Sequence, residues 1–507
     1  MTFVVINIFC LRINLNADTL FPFRYTNSIQ SGAPFLLIVQ PGSRIFPEWL
    51  YSFVAYNFTK EPLAWSRVVI AINITMLMVS LHYLFSKLGY KKNQRTLWLV
   101  VVMLIIPVFY LPHINVLIYF VFSPGIHGFY IPYMFLILGM SYQFIRDEPI
   151  SKSMIAFMFI LGVLLVFSNV NFVVMALAPI SAISIFMIVV GGYGIKQCCQ
   201  VVGFTSLITV TGIVMAKLLP DLFDSIYLSE NNIVFFKIGL LDWLQNNSLF
   251  NDLKNRKISG YLLEATYLSI ISSFWVVFIK KQKFTPAYYL NAFFIFSVLV
   301  FFVVVWVLDK GVIRLMPQVI LLSPFILVYN LISGYVAKQK STLVLSLTLA
   351  YIIIGGVSTY IFYSENRPYI QHNFIHNQIK LLKKRNVIKG DGLANYWIAH
   401  TNYNPDTTIL PVTYTLQPYL FASNAKLFWK FKSKEIPTKR LISYVINDKR
   451  RKTKKWSISE KAIIKNFGMY DQIIDYQFKG RFYKLYIYSD GINTTKIYEL
   501  LIDNLQM

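Results

Sequence analysis

Apolar residues in this chain are gathered into blocks of roughly 20, which is the length an α-helix needs to cross a hydrocarbon core about 30 Å thick. Of the 507 residues, 56% are hydrophobic and only 14% are charged. A soluble domain of this size would need a largely apolar surface to have that composition. The sequence therefore predicts a polytopic α-helical membrane protein.

Hydropathy defines eleven candidate spans in the sequence. They lie near 2–13, 65–86, 96–111, 127–145, 154–168, 172–191, 198–219, 262–280, 286–308, 319–337 and 342–363. The first is shorter than a bilayer requires, so it is either a partly inserted helix or the end of a longer one that starts upstream. We therefore predict ten or eleven spans in a domain of residues 1–363.

The distribution of positive charge predicts the orientation of these spans. Short basic loops such as KLGYKKNQR (87–95), RDEPISK (146–152) and KKQK (280–283) are typical of the cytoplasmic side. The alternate loops, of which 14–64 and 220–261 are the longest, are then exterior. With eleven spans, the N-terminus is cytoplasmic and residues 364–507 lie outside, which in a bacterial inner membrane is the periplasm.

The C-terminal segment 364–507 has the pattern of a mixed α/β domain. A helical pattern covers 367–385, β-branched and aromatic runs of strand length lie at 409–416, 440–446 and 481–489, and 493–505 resembles a closing helix. We therefore predict a periplasmic α/β domain, called the tail below.

The chain carries a formal net charge of +25, and the tail alone holds 24 Lys or Arg against 11 Asp or Glu. No nucleic-acid-binding motif accompanies this charge, so we do not expect a nucleic-acid partner. The charge favours partners that bear phosphates, namely membrane lipids or a polyprenyl phosphate.

The exterior loop 14–64, called the first loop below, is the richest in possible chemistry. Its aromatic content predicts short helices in the membrane interface and argues against disorder. Asp18 follows the first span directly and could take a proton from an attacking hydroxyl. It could equally cap a helix, because an apolar run follows it. Glu48, in the segment FPEW, is the second candidate for the base.

Cations at the same interface could neutralise the phosphate of a lipid-linked donor. The candidates are Arg44, Lys310, Arg314, His113 and His127. Each could instead be a side chain that only anchors a helix at the interface. We predict no metal and no cofactor, because neither histidine has a partner at ligand spacing and no nucleotide-binding or hydrolase motif is present.

Three features together resemble a known family: Asp18 after the first span, RIFPEWLY (44–51) in the same loop, and GDGLANYWIA (390–399) early in the tail. With the many spans and the C-terminal exterior domain, they are similar to the GT-C superfamily of polyprenyl-phosphate-sugar glycosyltransferases. The nearer resemblance is to the serotype-converting O-antigen glucosyltransferases (Gtr type) of enteric bacteria and their phages.

The resemblance implies inverting, usually metal-independent transfer of glucose from undecaprenyl phosphate-glucose to an O-antigen repeat unit. Asp18 would be the base and Glu48 would support it. It also implies a flippase and a donor-synthesising glucosyltransferase as functional partners. In the tail, Tyr396 and Trp397 could stack on an acceptor sugar and Asp391 could bind its hydroxyls, although the same segment could simply begin a helix that packs its aromatics into a core.

Two other functions remain open from the sequence. An O-antigen polymerase or ligase also uses lipid-linked glycan, but a folded tail is not expected of it. A lipid-linked glycan flippase or transporter would need ionisable residues at mid-span, and the spans here are nearly free of them.

Overall fold

The computed structural model describes the chain in stretches. These are residues 14–15, 20, 22–23, 26–27, 30, 38–39, 45–108, 127–190, 194–222, 226–227, 260–279, 285–308, 317–337, 346, 349–350, 353, 357, 369–370, 372–401, 409–412, 441–448, 458, 460–478 and 481–492. The part before the tail is mostly helical, and a small sheet forms within the tail. Predicted features at other positions lie outside the described residues.

The apolar part of the chain forms a series of helices that pack on one another. They are α1 (Leu50–Phe58), α2 (Pro62–Lys87), α3 (Lys92–Val108), α4 (Ile131–Ile145), α5 (Lys152–Ser168), α6 (Ala178–Val189), α7 (Ile195–Leu222), α8 (Gly260–Phe274), α9 (Pro286–Leu308) and α10 (Pro317–Ala337). The segments Ile45–Trp49, Val173–Leu177 and Trp275–Ile279 are wider π-helical turns, and His127–Tyr130 is a 3-10 turn.

Among the described residues, three helical stretches are long and apolar enough to cross a membrane: Pro62–Lys87, Ile195–Ala216 and Pro286–Val304. Shorter apolar helices, such as α4 and α5, coincide with other predicted spans. These helices are compatible with a membrane protein, whereas the full number of spans and their orientation stay predictions.

Helix α7 presents an aliphatic stripe to its surroundings. Leu207, Val210, Val214 and Leu218 are 44–59% exposed and recur at helical spacing on one side. Small residues of the same helix face inward, where Gly212 meets the side chain of Val166 on α5. In water such a stripe would be an unfavourable apolar patch, whereas in a bilayer it is the normal outer surface of a helix.

A buried hydrogen-bond network joins α8, α9 and α10. The amides of Asn291 and Asn330 donate to each other's oxygens over 2.9 Å in both directions. Ser273 donates to the Asn291 oxygen at 2.7 Å, and the Asn330 amide donates to Ser272 at 3.1 Å. Each polar group satisfies another, so the network fixes the three helices relative to one another at little desolvation cost.

The Asn pair should therefore be coupled energetically. Replacing Asn291 and Asn330 with Leu, singly and together, should give a coupling free energy of about 0.6 kcal/mol and at most about 1.7 kcal/mol, measured by thermal denaturation of the purified protein in micelles. Ser297→Ala is the control, because Ser297 donates to Phe293 O one turn earlier in its own helix. Strictly additive single effects would contradict an interhelical role.

The tail contains a five-stranded sheet with helices packed on both of its faces. Its strands are β5 (Asp391–Asn395), β6 (Ile409–Val412), β7 (Ile442–Asp448), β8 (Gln472–Phe478) and β9 (Arg481–Ile492), in the order β6-β5-β7-β9-β8. β6, β5 and β7 are parallel, and β9 runs antiparallel to both β7 and β8. The helices are α11 (Asn373–Lys384), α12 (Tyr396–Thr401) and α13 (Glu460–Phe467).

Each face of the sheet has its own apolar core. The α11 core contains Ile375 and Ile379 of α11, and the α13 core contains Ile463 of α13. Strand alternation sends Tyr444 into the α11 core and Val445 into the α13 core. Ile442 nevertheless joins the α13 core, because the register shifts between Ile442 and Tyr444.

Three details of the tail differ from the sequence-based expectation. The predicted helix 367–385 begins only at Asn373, because His372 has a left-handed backbone (φ 62°) and Tyr369–Ile370 forms strand β4. The segment GDGLANYWIA is divided between β5 and α12, whereas its sequence indicates only the start of a helix. β7 extends to Asp448, two residues beyond its predicted end, and both added residues are buried.

Candidate functional site

Two short strand pairs connect the first loop with distant parts of the chain. β1 (Asn14–Leu15) pairs in parallel with β4 (Tyr369–Ile370), at the entry to the tail. β2 (Ile38–Val39) pairs in parallel with β3 (Ile226–Tyr227), in the predicted loop 220–261. The first loop is thus in contact with both other large segments that the charge pattern assigns to the exterior.

Between β1 and β2, the described residues of the first loop are helical and are held by α1. The Thr26 hydroxyl lies 2.8 Å from the Ser52 hydroxyl, and both hydroxyls donate to Pro22 O. The Phe23 ring packs edge-on against Trp65 of α2 with centroids 5.3 Å apart. These contacts agree with the predicted short helices in this loop.

The segment Ile45–Trp49 packs between the N-terminal end of α4 and the C-terminal end of α5. Phe46 has an extended backbone (φ −126°, ψ 134°), and its N–H donates to the Ser168 hydroxyl at the C-terminus of α5 over 2.9 Å. Its ring packs against Tyr133 in the first turn of α4, with centroids 5.1 Å apart. This places the FPEW motif at the ends of two apolar helices and not within either.

Glu48 follows directly and is only 2% exposed. Carboxylates are rarely buried to this extent, because desolvation of the charge is costly unless other groups compensate for it. Trp49, beside it, is also buried. The structure thus makes Glu48 the buried acidic group of the first loop among the residues it describes.

A pair of buried phenols links the residues that follow Glu48 to α4. Tyr51 is three residues beyond Glu48 along the helical backbone, so the two side chains leave the same side. The Tyr51 and Tyr133 hydroxyls are 2.6 Å apart. Burial, and then the proximity of Tyr133, raises the pKa of Tyr51 well above its ordinary value. Tyr51 therefore remains a neutral hydrogen-bond donor or acceptor at every physiological pH.

The predicted phosphate ligands are only partly placed. His127 begins the 3-10 turn His127–Tyr130, which packs against Ile45–Trp49. α10 contacts the same turn and begins three residues after Arg314. The other predicted members of the site lie outside the described residues: Asp18, Arg44, His113, Lys310 and Arg314.

The predicted acceptor residues do not form one cluster. Asp391 begins β5, whereas Tyr396 and Trp397 begin α12 beyond its other end. At about 3.3 Å per strand residue, Asp391 and Tyr396 are about 16 Å apart. Asp391 thus lies at the amino edge of the sheet, whereas Tyr396 and Trp397 follow its carboxyl edge.

Sequence reasoning missed three parts of the Glu48 site: Tyr51, Tyr133 and Ser168. Tyr133 and Ser168 lie within predicted spans, and neither residue type distinguishes a site from ordinary helix packing. Tyr51 belongs to the RIFPEWLY motif and was the one available signal. No group of three or more His, Cys, Asp or Glu arranged to hold a metal occurs among the described residues.

The effects of removing the Tyr51 and Tyr133 hydroxyls on the free energy of unfolding should not be additive. Tyr51→Phe leaves the Tyr133 hydroxyl buried without this partner and should cost about 1–3 kcal/mol, while Tyr51→Phe/Tyr133→Phe should cost less than the sum of the single changes. Thermal unfolding of the purified protein measures both effects. Tyr267→Phe is the control, because Tyr267 is 50% exposed. A neutral Tyr51→Phe would show that the phenols do not hold α1 to α4.

Comparisons of the chain with protein-family models, with curated proteins and with solved structures find no match.

Proposed function

We propose that the protein is a membrane-bound glycosyltransferase. It would transfer a sugar, glucose by family resemblance, from an undecaprenyl phosphate-linked donor to a lipid-linked O-antigen repeat unit in the periplasm, and so modify the lipopolysaccharide serotype. The observation that carries the proposal is the burial of Glu48 in the first loop, at the ends of α4 and α5. Such a position suits chemistry at the membrane interface, where the phosphate of a lipid-linked donor lies.

The reaction needs one base and a set of cations. The carboxylate of Asp18 accepts the proton of an acceptor hydroxyl as its oxygen attacks C1 of the donor sugar. The bond between C1 and the phosphate oxygen breaks with its electron pair on that oxygen, and undecaprenyl phosphate leaves. Attack opposite the leaving group inverts the configuration at C1.

The charge that develops on the leaving phosphate requires positive groups. In this proposal the positive groups are supplied by Arg44, Lys310, Arg314, His113 and His127. The packing of His127–Tyr130 against Ile45–Trp49 supports a role for His127, because it brings that turn to the Glu48 segment. The contact of α10 with the same turn supports a role for the loop that carries Lys310 and Arg314.

Glu48 then has a supporting role. Its burial would hold the carboxylate in one position, and the neutral Tyr51 and Tyr133 hydroxyls can donate hydrogen bonds without adding charge. A fixed, partly desolvated carboxylate stabilises positive charge that develops at C1 more strongly than a solvated one does. Asp18 would remain free to take the proton.

The acceptor would be held by the carboxyl edge of the tail sheet. Leu15 of β1 pairs with Ile370 of β4. Two residues after Ile370, the Nδ1 atom of His372 lies 3.0 Å from the Tyr483 hydroxyl. Tyr483 lies opposite Asp448, the last residue of β7. The carboxyl edge is therefore the edge connected to the first loop, and Asp18 is only three residues beyond Leu15.

The sheet topology also favours this edge as a binding site. After β5 the chain enters α12, whose Ile398 packs in the α11 core on one face of the sheet. After β7 the chain leaves toward the other face, where Ile458 packs in the α13 core. Connections that leave two adjacent parallel strands toward opposite faces create a crevice at the carboxyl ends of those strands. Asn395, Asn447 and Asp448 lie there and are buried. The Asn395 Oδ1 accepts from the Ile398 N–H and the Asn447 Nδ2 donates to Ile458 O, so these side chains fix the backbone around the crevice in which the glycan would bind.

Transporter chemistry receives less support. The buried polar residues of the described apolar helices are uncharged, for example Asn73, Gln143 and Asn291. Ion- or proton-coupled transport ordinarily uses ionisable residues at such positions. The experiment below distinguishes the transferase from a polymerase or ligase and from a flippase.

Two isosteric variants test the reaction. Asp18→Asn should lower hexose transfer by about 10²- to 10⁴-fold, and Glu48→Gln should lower it less, because only Asp18 moves a proton. The measurement is the mass and linkage of surface polysaccharide from cells that express each variant. Asp147→Asn is the control: this exposed carboxylate has a left-handed backbone that Asn tolerates well.

Each result has a distinct meaning. An added hexose that disappears in the Asp18→Asn strain, with membrane insertion intact, supports the transferase. An unchanged sugar composition with altered chain length would replace it with a polymerase or ligase. Accumulation of lipid-linked glycan on the cytoplasmic side in cells without the gene would indicate a flippase.

The orientation of the tail can be measured separately. A phosphatase or fluorescent reporter fused after Met507 should report the periplasm, because the basic loops are assigned to the cytoplasm. A reporter inserted in the loop 146–152 should report the opposite side. A cytoplasmic signal after Met507 would overturn the loop assignment and the proposed mechanism together.

A further inference from the structure

Both helices that flank the tail sheet end at its amino edge. α11 leads into β5 and α13 leads into β8, and these two strands run parallel to β7. The last turn of α11 carries Lys383 and Lys384, and the last turn of α13 carries Lys465. The fold therefore collects basic side chains from opposite faces of the sheet at one edge.

Exposed apolar side chains collect at the same edge. The described part of the tail has five strongly exposed large hydrophobic residues: Leu381, Val387, Leu441, Met469 and Phe478. The first four lie beside the starts of β5, β7 and β8, with exposed fractions from 38% for Val387 to 69% for Met469. Leu441 adjoins β5 directly, because its carbonyl accepts from the Asp391 N–H at 2.8 Å.

Lys384, Arg385 and Lys389 flank Val387 in the chain and are exposed. The amino edge surface is defined here as Leu381, Val387, Leu441 and Met469 together with Lys384, Arg385, Lys389 and Lys465. Asp391, Asp471 and Asp490 lie at the same edge, where they are outnumbered five to three by Lys383, Lys384, Arg385, Lys389 and Lys465. Two further basic residues, Lys439 and Arg440, immediately precede Leu441 in the sequence.

The combination of charge and exposed aliphatics restricts the partner. A second copy of the chain would present the same positive charge, so self-association through this surface is disfavoured. A soluble polyanion would meet the cations but would leave four apolar side chains in water. A bilayer surface with anionic headgroups meets both, because aliphatic side chains enter the interface while Lys and Arg contact phosphates.

We propose that the amino edge surface docks on anionic phospholipid headgroups of the bilayer that holds the apolar helices. The tail is covalently joined to those helices, so the membrane is always near and a modest affinity suffices. This inference does not depend on glycosyltransferase activity. It requires only that the tail and a membrane surface meet.

Spin labels on the full chain in nanodiscs test the proposal. A nitroxide is attached at Val387→Cys in a background in which Cys10, Cys198 and Cys199 are replaced by Ser. Collision with oxygen reports contact with lipid, and collision with a water-soluble nickel chelate reports contact with solvent. A label at Gln477→Cys is the matched control, because Gln477 is exposed but lies at the carboxyl edge.

In discs containing phosphatidylglycerol, the Val387 label should show a several-fold higher ratio of oxygen to nickel collisions than the Gln477 label. The ratio should fall to the Gln477 level in phosphatidylcholine discs and in the variant K384E/R385E/K389E. An unchanged Gln477 signal in that variant would show that the tail remains folded.

Two results would overturn the proposal. In one, the Val387 label has the same solvent contact as the Gln477 label in both kinds of disc. In the other, inorganic phosphate or polyphosphate protects the Val387 label from nickel without any rise in oxygen contact, which would assign the surface to a soluble anion.

Discussion

The rest of the structure depends on the burial of backbone hydrogen bonds within apolar helices. A helix satisfies its own N–H and C=O groups, so its outer surface can be entirely aliphatic, as along Leu207 to Leu218 of α7. Polar side chains are then needed only where helices must be fixed to one another or where chemistry occurs. Among the described residues, three such places are the Asn291–Asn330 network, the surroundings of Glu48 and the edges of the tail sheet.

The same constraint explains which elements could be predicted. α9 matches its predicted range, 286–308, and α5 begins two residues before the predicted 154. Apolar runs of this length leave little choice of structure. β5 could not be predicted, because Asp, Gly and Asn are typical of turns and a short strand buried on both faces shows no alternation. β8, QIIDYQF, has too little apolar character to be recognised as an edge strand.

The candidate site was predictable in part for a different reason. Glu48 belongs to a local motif, and a carboxylate beside Pro and Trp is conspicuous in a chain with so few charges. Its neighbours are set by tertiary structure: Ser168 is 122 residues from Phe46 along the chain, and Tyr133 is 82 residues from Tyr51. No pattern along the sequence could indicate those contacts. The same applies to Asn395 and Asp448, which become neighbours only through the strand order of the sheet.

The two edges of the tail sheet are chemically opposed, and this difference relates the two proposals. The carboxyl edge is connected to the first loop through β1, β4 and His372, whereas the amino edge carries the cations and the exposed aliphatics. If both edges act as proposed, the amino edge rests on headgroups while the carboxyl edge faces the first loop. Docking at the amino edge would then limit the rotation of the tail about its connection at 369–370. A glycan held at the carboxyl edge would consequently be presented to the first loop in a restricted range of orientations, which is what an attacking hydroxyl requires.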